Sequence, residues 1–120
     1  MTIFRFSAAI AALAAAASAA PQSSPQGAPI HRFVRVADLR LLCGGEHNEM
    51  CSGYVMAVVD TANSVRVAES KPEVVCPPNG VGDEQLVTIV QANLKKNDAP
   101  DEYGAPTAIL GWLGKEYPCK

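Results

Sequence analysis

The sequence predicts an all-α fold: a small four-helix domain stapled by two disulfides, behind an export signal and a flexible leader. Three observations predict it. Apolar residues recur at steps of three and four in four separate segments, the signature of helices with one buried face. Gly and Pro punctuate the boundaries between those segments. All four cysteines lie beyond the N-terminal apolar stretch, and an even count in a small exported chain reads as paired sulfurs.

Residues 1–20 read MTIFRFSAAIAALAAAASAA. Arg5 and the amino terminus make a short positive start, and an alanine-rich stretch runs from Ala8 to Ala17. Ala17 and Ala19 then form the A-x-A pattern that signal peptidase accepts, so residues 1–19 are expected to be removed. A membrane anchor is the rival reading, but spanning a bilayer takes ~20 strongly apolar residues, and this stretch is shorter and mostly Ala. Losing residues 1–19 removes Arg5 and leaves nine Lys/Arg against twelve Asp/Glu, so the net charge moves from −2 to −3. Such an acidic, scattered charge set excludes a nucleic-acid partner and offers no basic patch for stable membrane insertion.

Residues 20–31 are rich in Pro, Ser, Gln and Gly, and cannot bury enough apolar surface to offset the entropy of ordering. The folded domain is expected over 32–120. Within it, 34–43 places Val36, Leu39, Leu42 and Cys43 on one side of a short helix that Gly44 and Gly45 stop. Segment 50–67 carries Cys51, Tyr54, Val55, Val58, Val59, Ala62 and Val65 at helical spacing. Its valines favour a strand, but the period and the length favour a helix.

Residues 68–80 form a loop broken by Pro72, Pro77, Pro78 and Asn79-Gly80. The helix at 83–96 buries Leu86, Ile89, Val90 and Leu94, with Asp83 and Glu84 at its positive end and Lys95 and Lys96 at its negative end. Gly82 is its expected N-cap, Gln85 its third residue, and Val81 with Leu86 its hydrophobic staple. A turn at 97–104, with a helical turn after Pro100, leads to a last helix at 105–117. There Pro106 takes the first position, Ile109, Leu110, Leu113 and Tyr117 face inward, and Trp112 lies at the margin. Gly111 and Gly114 each cost up to ~1 kcal/mol in a helix, which implies close approach to a neighbouring helix.

This topology orders the cysteines. The third helix runs away from Cys76 and the fourth returns, bringing Cys119 back beside it. Cys43 ends the first helix and Cys51 begins the second. Of three connectivities, Cys43–Cys51 with Cys76–Cys119 is therefore expected. The chain-entropy model assigns about 2.5 and about 4 kcal/mol to these loops. Together they rival the ~5–15 kcal/mol net stability of a small domain.

A zinc site on Cys43, His47 and Cys51 is the competing reading, since i, i+4, i+8 shares a helix face. Gly44-Gly45 interrupts that helix, a fourth ligand is missing and export favours oxidation. No metal and no other cofactor is expected, His47 reads as a solvated loop residue and His31 as part of the leader. Catalysis finds little footing. Ser52 follows Cys51 without a G-x-S-x-G turn, and Asp60 with Glu69 reads as solvated surface rather than an acid–base pair. The chain is therefore expected not to be an enzyme. Asp60 interrupts an apolar run, which places it either against Arg66 or a backbone donor, or on the exposed face.

A wider pattern runs through these elements: Leu41-Leu42-Cys43, Cys51-x-Gly53-Tyr54 with Val58 and Asp60 downstream, Cys76-Pro77, Gln85-Leu86-Val87, Leu94 and Tyr117-Pro118-Cys119. It resembles the Rap/Tai-type immunity protein domain over roughly 38–119. Ala57 and Gly82 depart from the pattern, the latter losing a Ser/Thr cap. The resemblance implies a periplasmic or secreted helical protein, often a homodimer. Its partner would be a peptidoglycan amidase toxin delivered by type VI secretion, whose catalytic cleft it occludes.

The residues offer two polar surfaces for such a partner: the loop after the second helix, with Asn63, Arg66, Glu69 and Lys71, and the turn with Asn97, Asp98, Asp101 and Glu102. The alternative is a periplasmic acid-stress chaperone (HdeA-like), which two stapling disulfides oppose, or another structural periplasmic protein without a toxin partner.

Overall fold

A computed structural model describes residues 34–45 and 48–120. The expected signal peptide, the leader, His31 and His47 lie outside the described residues. Four helices and no strand make up the described fold: α1 (Val36–Cys43), α2 (Glu49–Ala68), α3 (Asp83–Lys96) and α4 (Ala105–Glu116). An isolated antiparallel bridge, Arg35 to Gly104, is the one departure from helix pairing. All six helix pairs touch, so the core is a single cluster rather than two layers.

Each helix end is fixed by local chemistry. At α1, Arg35 N–H donates to Asp38 Oδ2 at 2.9 Å. Two further free N–H groups of its first turn are met by the distant turn, Val36 donating to Tyr103 O at 2.9 Å and Ala37 to Asp101 O at 3.1 Å. Val34 and Arg35 are thereby drawn out of the helix expected at 34–43. Gly82 caps α3 without a side chain. Gln85 Oε1 returns to its N–H at 2.9 Å, half of a capping box. Val81 is partly buried against the core that includes Leu86.

Asn97 closes α3 in the left-handed region at φ 61°, a conformation Asn tolerates better than most residues. Pro106 is the second rather than the first residue of α4, still within the turn whose N–H groups lack helical partners. After Pro100 there is no helix, only a turn closed by Tyr103 N–H to Pro100 O at 3.0 Å.

The expected core is largely present: Val36, Leu39, Cys43, Cys51, Val55, Val59, Leu86, Val90, Leu94, Ile109 and Leu113 are buried. Leu42, Tyr54, Val58, Ile89, Leu110, Trp112 and Tyr117 are partly buried against it. Val65 is a correction, since it is 51% exposed. The reason is length. At 20 residues α2 outruns α3 and α4, with 14 and 12, and its last turns find no helix to cover them. Val75 and Val87 join the core without having been expected there.

The disulfides pair as the topology requires. Cys43–Cys51 joins the end of α1 to the start of α2, and both sulfur-bearing residues are buried. Cys76–Cys119 ties the loop before α3 to the chain end, backed by Cys76 N–H to Tyr117 O at 2.9 Å.

The helical glycines of α4 part company. A Cβ at Gly114 would sit 3.2 Å from the Val74 carbonyl oxygen, so this glycine does permit close approach, though to a loop and not a helix. Around Gly111 there is open space. Gly111→Ala should therefore raise stability by about 0.5–1 kcal/mol through helix propensity alone. Gly114→Ala should fall at least ~1 kcal/mol below it, because a backbone oxygen cannot swing aside. Urea denaturation of the two variants checks the difference.

Candidate protein-binding surfaces

The first polar surface gathers around the end of α2, and the fold has already engaged most of it. Asn63 lies on α2 and not in the loop after it, with its amide turned inward. Its Nδ2 donates to Val75 O at 2.8 Å, while its Oδ1 accepts from Val74 N–H at 2.9 Å and Val75 N–H at 3.3 Å. Val75 is fully buried in irregular chain, so its peptide groups need protein partners, and one amide serves both of them together with the N–H of Val74.

Arg66, also on α2, donates from Nε to Pro72 O at 3.0 Å. Asp60 is exposed and does not receive that guanidinium, so of its two readings the surface one describes its place. Glu69 and Lys71 pair at 2.7 Å with about half of each side chain in solvent, a contact of ~0–1 kcal/mol.

The second surface is the turn 97–104. Here α1 reaches across. Arg40 donates from Nε to Asp101 Oδ1 at 2.9 Å, from Nη1 to Leu94 O and from Nη2 to Asn97 Oδ1. Asn97 and Asp101 are therefore committed to the fold. Asp98, Glu102 and Tyr103 remain exposed at the tip, with Tyr103 48% accessible. Behind them the methyl of Ala99 is buried, and Ala105 N–H donates to Val34 O at 2.8 Å. The result is a polar, half-aromatic turn on a braced base. Sequence reasoning did not single out Arg40, because its acceptors lie 54 to 61 residues away and no local pattern announces them.

A third feature is a cleft of about 640 Å³ between the N-terminal ends of α2 and α3. Ser52 donates to Asp83 Oδ2 across it at 2.5 Å. At the base of α2, Gln91 Nε2 donates to Cys43 O at 2.8 Å and to Asn48 Oδ1 at 3.2 Å, which fixes the two ends of the α1–α2 connection. The Ser52 hydroxyl holds the Asp83 carboxyl below its ordinary pKa, against an opposing desolvation, and the backbone N–H groups of Glu84 and Asp83 add smaller lowering contributions.

Tyr54 behaves oppositely. Burial pushes its phenol above the usual value, and its hydroxyl has no hydrogen-bond partner. Among the described residues no group of three or more His, Cys, Asp or Glu could hold a metal ion, and no cysteine is free.

The pattern of Rap1a immunity proteins matches residues 36–119. That stretch contains all four helices and both disulfides. The chain belongs to the Rap1a immunity protein family. Neither a curated protein nor a solved structure matches it. Membership of the Rap1a family points to an immunity protein for secreted effectors, so the expected partner is a protein. It also turns attention from clefts suited to small molecules toward the surfaces that a protein would meet.

Two predictions test the local readings. Asn63→Ala orphans two N–H groups and a carbonyl in a buried segment, and should cost about 1–3 kcal/mol in chemical denaturation. Ser52→Ala should move the Asp83 pKa upward, toward the ordinary carboxylate range, in a carboxyl-detected NMR titration. The sign follows from linkage. A depressed carboxyl contributes stability above its unfolded pKa and loses it as pH falls through the folded value, so the difference between wild type and variant should vanish in acid.

Proposed function

We propose that the protein is exported, loses residues 1–19, and acts in the periplasm as a non-catalytic antidote. It binds a peptidoglycan amidase effector of type VI secretion and covers the catalytic cleft. The observation that carries this reading is the family match across the whole described helical unit. Two disulfides in a domain this small support an oxidising compartment. No helix among the described residues is long and apolar enough to cross a membrane.

Steric occlusion needs a rigid protrusion and no reacting group. The turn 97–104 suits that task better than the end of α2. At the end of α2, Asn63, Arg66, Glu69 and Lys71 already bond within the chain. In the turn, Asp98, Glu102 and Tyr103 face solvent. A pre-ordered segment loses little conformational entropy on docking, so its contacts convert into affinity more fully than those of a loose one.

The test uses purified mature protein against a panel of cysteine–histidine peptidoglycan amidases encoded beside type VI secretion clusters. At least one should be inhibited, and its periplasmic expression should be tolerated when the antidote is co-exported. Charge reversal at Asp98→Lys with Glu102→Lys should weaken that inhibition by about tenfold or more while leaving the melting temperature unchanged. Failure to bind or inhibit any member of the panel would sink the reading.

A further inference from the structure

The turn 97–104 is held from two sides, and the two holds are different in kind. On the α4 side the hold is backbone. Val36 donates to Tyr103 O, Ala37 to Asp101 O and Ala105 to Val34 O, all within 2.8–3.1 Å, beside the Arg35–Gly104 bridge. On the α3 side it is one side chain. The Arg40 guanidinium meets a main-chain oxygen of the last turn of α3, the side chain of the left-handed cap Asn97, and the carboxylate of Asp101. Two of these acceptors stand before the segment 98–100 and one beyond it. A guanidinium is planar and its donors diverge at fixed angles, so three simultaneous bonds define a relative placement and not merely an attraction.

As an ion pair the contact is weak. The Asp101 side chain is 65% exposed and that of Arg40 28%, a setting in which such a pair adds little to overall stability. Its effect should therefore be local. We infer that Arg40 is the positioning residue of this turn: its guanidinium sets the shape in which Asp98, Glu102 and Tyr103 meet a protein partner, while the helix packing sets only where the turn stands. The functional half rests on the partner-binding reading above. The conformational half does not.

Removal of the side chain frees the left-handed cap at Asn97 and leaves Asp101 as an unneutralised carboxylate beside Glu102. A lysine in its place keeps the charge, but its single nitrogen cannot serve three divergent acceptors. An asparagine at position 101 does the reverse, keeping an acceptor without the charge. Charge and geometry can therefore be separated in the full mature chain.

The experiment measures amide hydrogen exchange, melting temperature and inhibition of whichever amidase the panel yields, for Arg40→Ala, Arg40→Lys and Asp101→Asn. Both Arg40 variants should speed exchange of the hydrogen-bonded turn amides of Asn97 and Tyr103 by about tenfold or more. The α2 amides from Val55 to Val59 and the bridge amide of Ala105 should keep their protection. Asp101→Asn should stay close to wild type. Inhibition should weaken about tenfold in both Arg40 variants, with a change in melting temperature too small to account for it.

Unchanged exchange at Asn97 and Tyr103 overturns the inference, whatever the toxin result. Faster exchange with undiminished inhibition also overturns it. Faster exchange with no amidase inhibited by the wild type upholds the control of shape by Arg40 and overturns the partner-binding reading alone.

Discussion

The fold depends on a stretch of chain that is not helical and is buried at its centre. Val74, Val75 and Cys76 run between α2 and α4, and Val75 is fully enclosed. Helices satisfy their own peptide groups, and this strap cannot, so its N–H and C=O groups must find partners elsewhere. Asn63 supplies three of them from α2, and the Tyr117 carbonyl accepts the N–H of Cys76. Gly114 lets α4 approach the Val74 carbonyl, and the Cys76–Cys119 bond closes the arrangement covalently. The amide, the close approach and the cross-link together hold α4 and this strap against α2.

The molecule repeats this device at its other end. The turn 97–104 is irregular backbone as well, and it too is satisfied by a helix that arrives from far along the chain. There α1 offers both its free N-terminal N–H groups and a guanidinium. A helix of eight residues is too short to be stable alone, so α1 acts as a brace between the turn and the buried Cys43–Cys51 bond. The two disulfides and these two polar clasps compensate for a core built from valines, leucines and alanines around a single isoleucine.

This economy bears on function. An antidote that blocks a cleft needs surface that keeps its shape without a partner, and the chain commits many polar side chains to that end. Of eight residues that composition and position marked as polar surface, Asn63, Asn97 and Asp101 serve the fold first. The side chains left to solvent at the turn form a compact set of two carboxylates and a tyrosine. Family membership points to a protein partner, and the binding role of the braced turn is our proposal.

The sequence by itself determined the helices, their order and the pairing of the cysteines. Periodicity, Gly and Pro are local signals, and an antiparallel return leaves one economical way to join four sulfurs. Helix α3 was legible to the residue, because its capping pattern and charge asymmetry lie within its own fourteen residues. Tertiary structure alone decided the roles of Arg40, Asn63 and Val75. Each acts through a partner remote along the chain, across 11 to 61 residues for the two polar ones. A guanidinium or an amide looks the same in sequence whether it faces water or a buried carbonyl, because burial depends on which helices overhang and which are covered. For the same reason Val65 followed the helical period and still ended in solvent, where α2 outruns its neighbours.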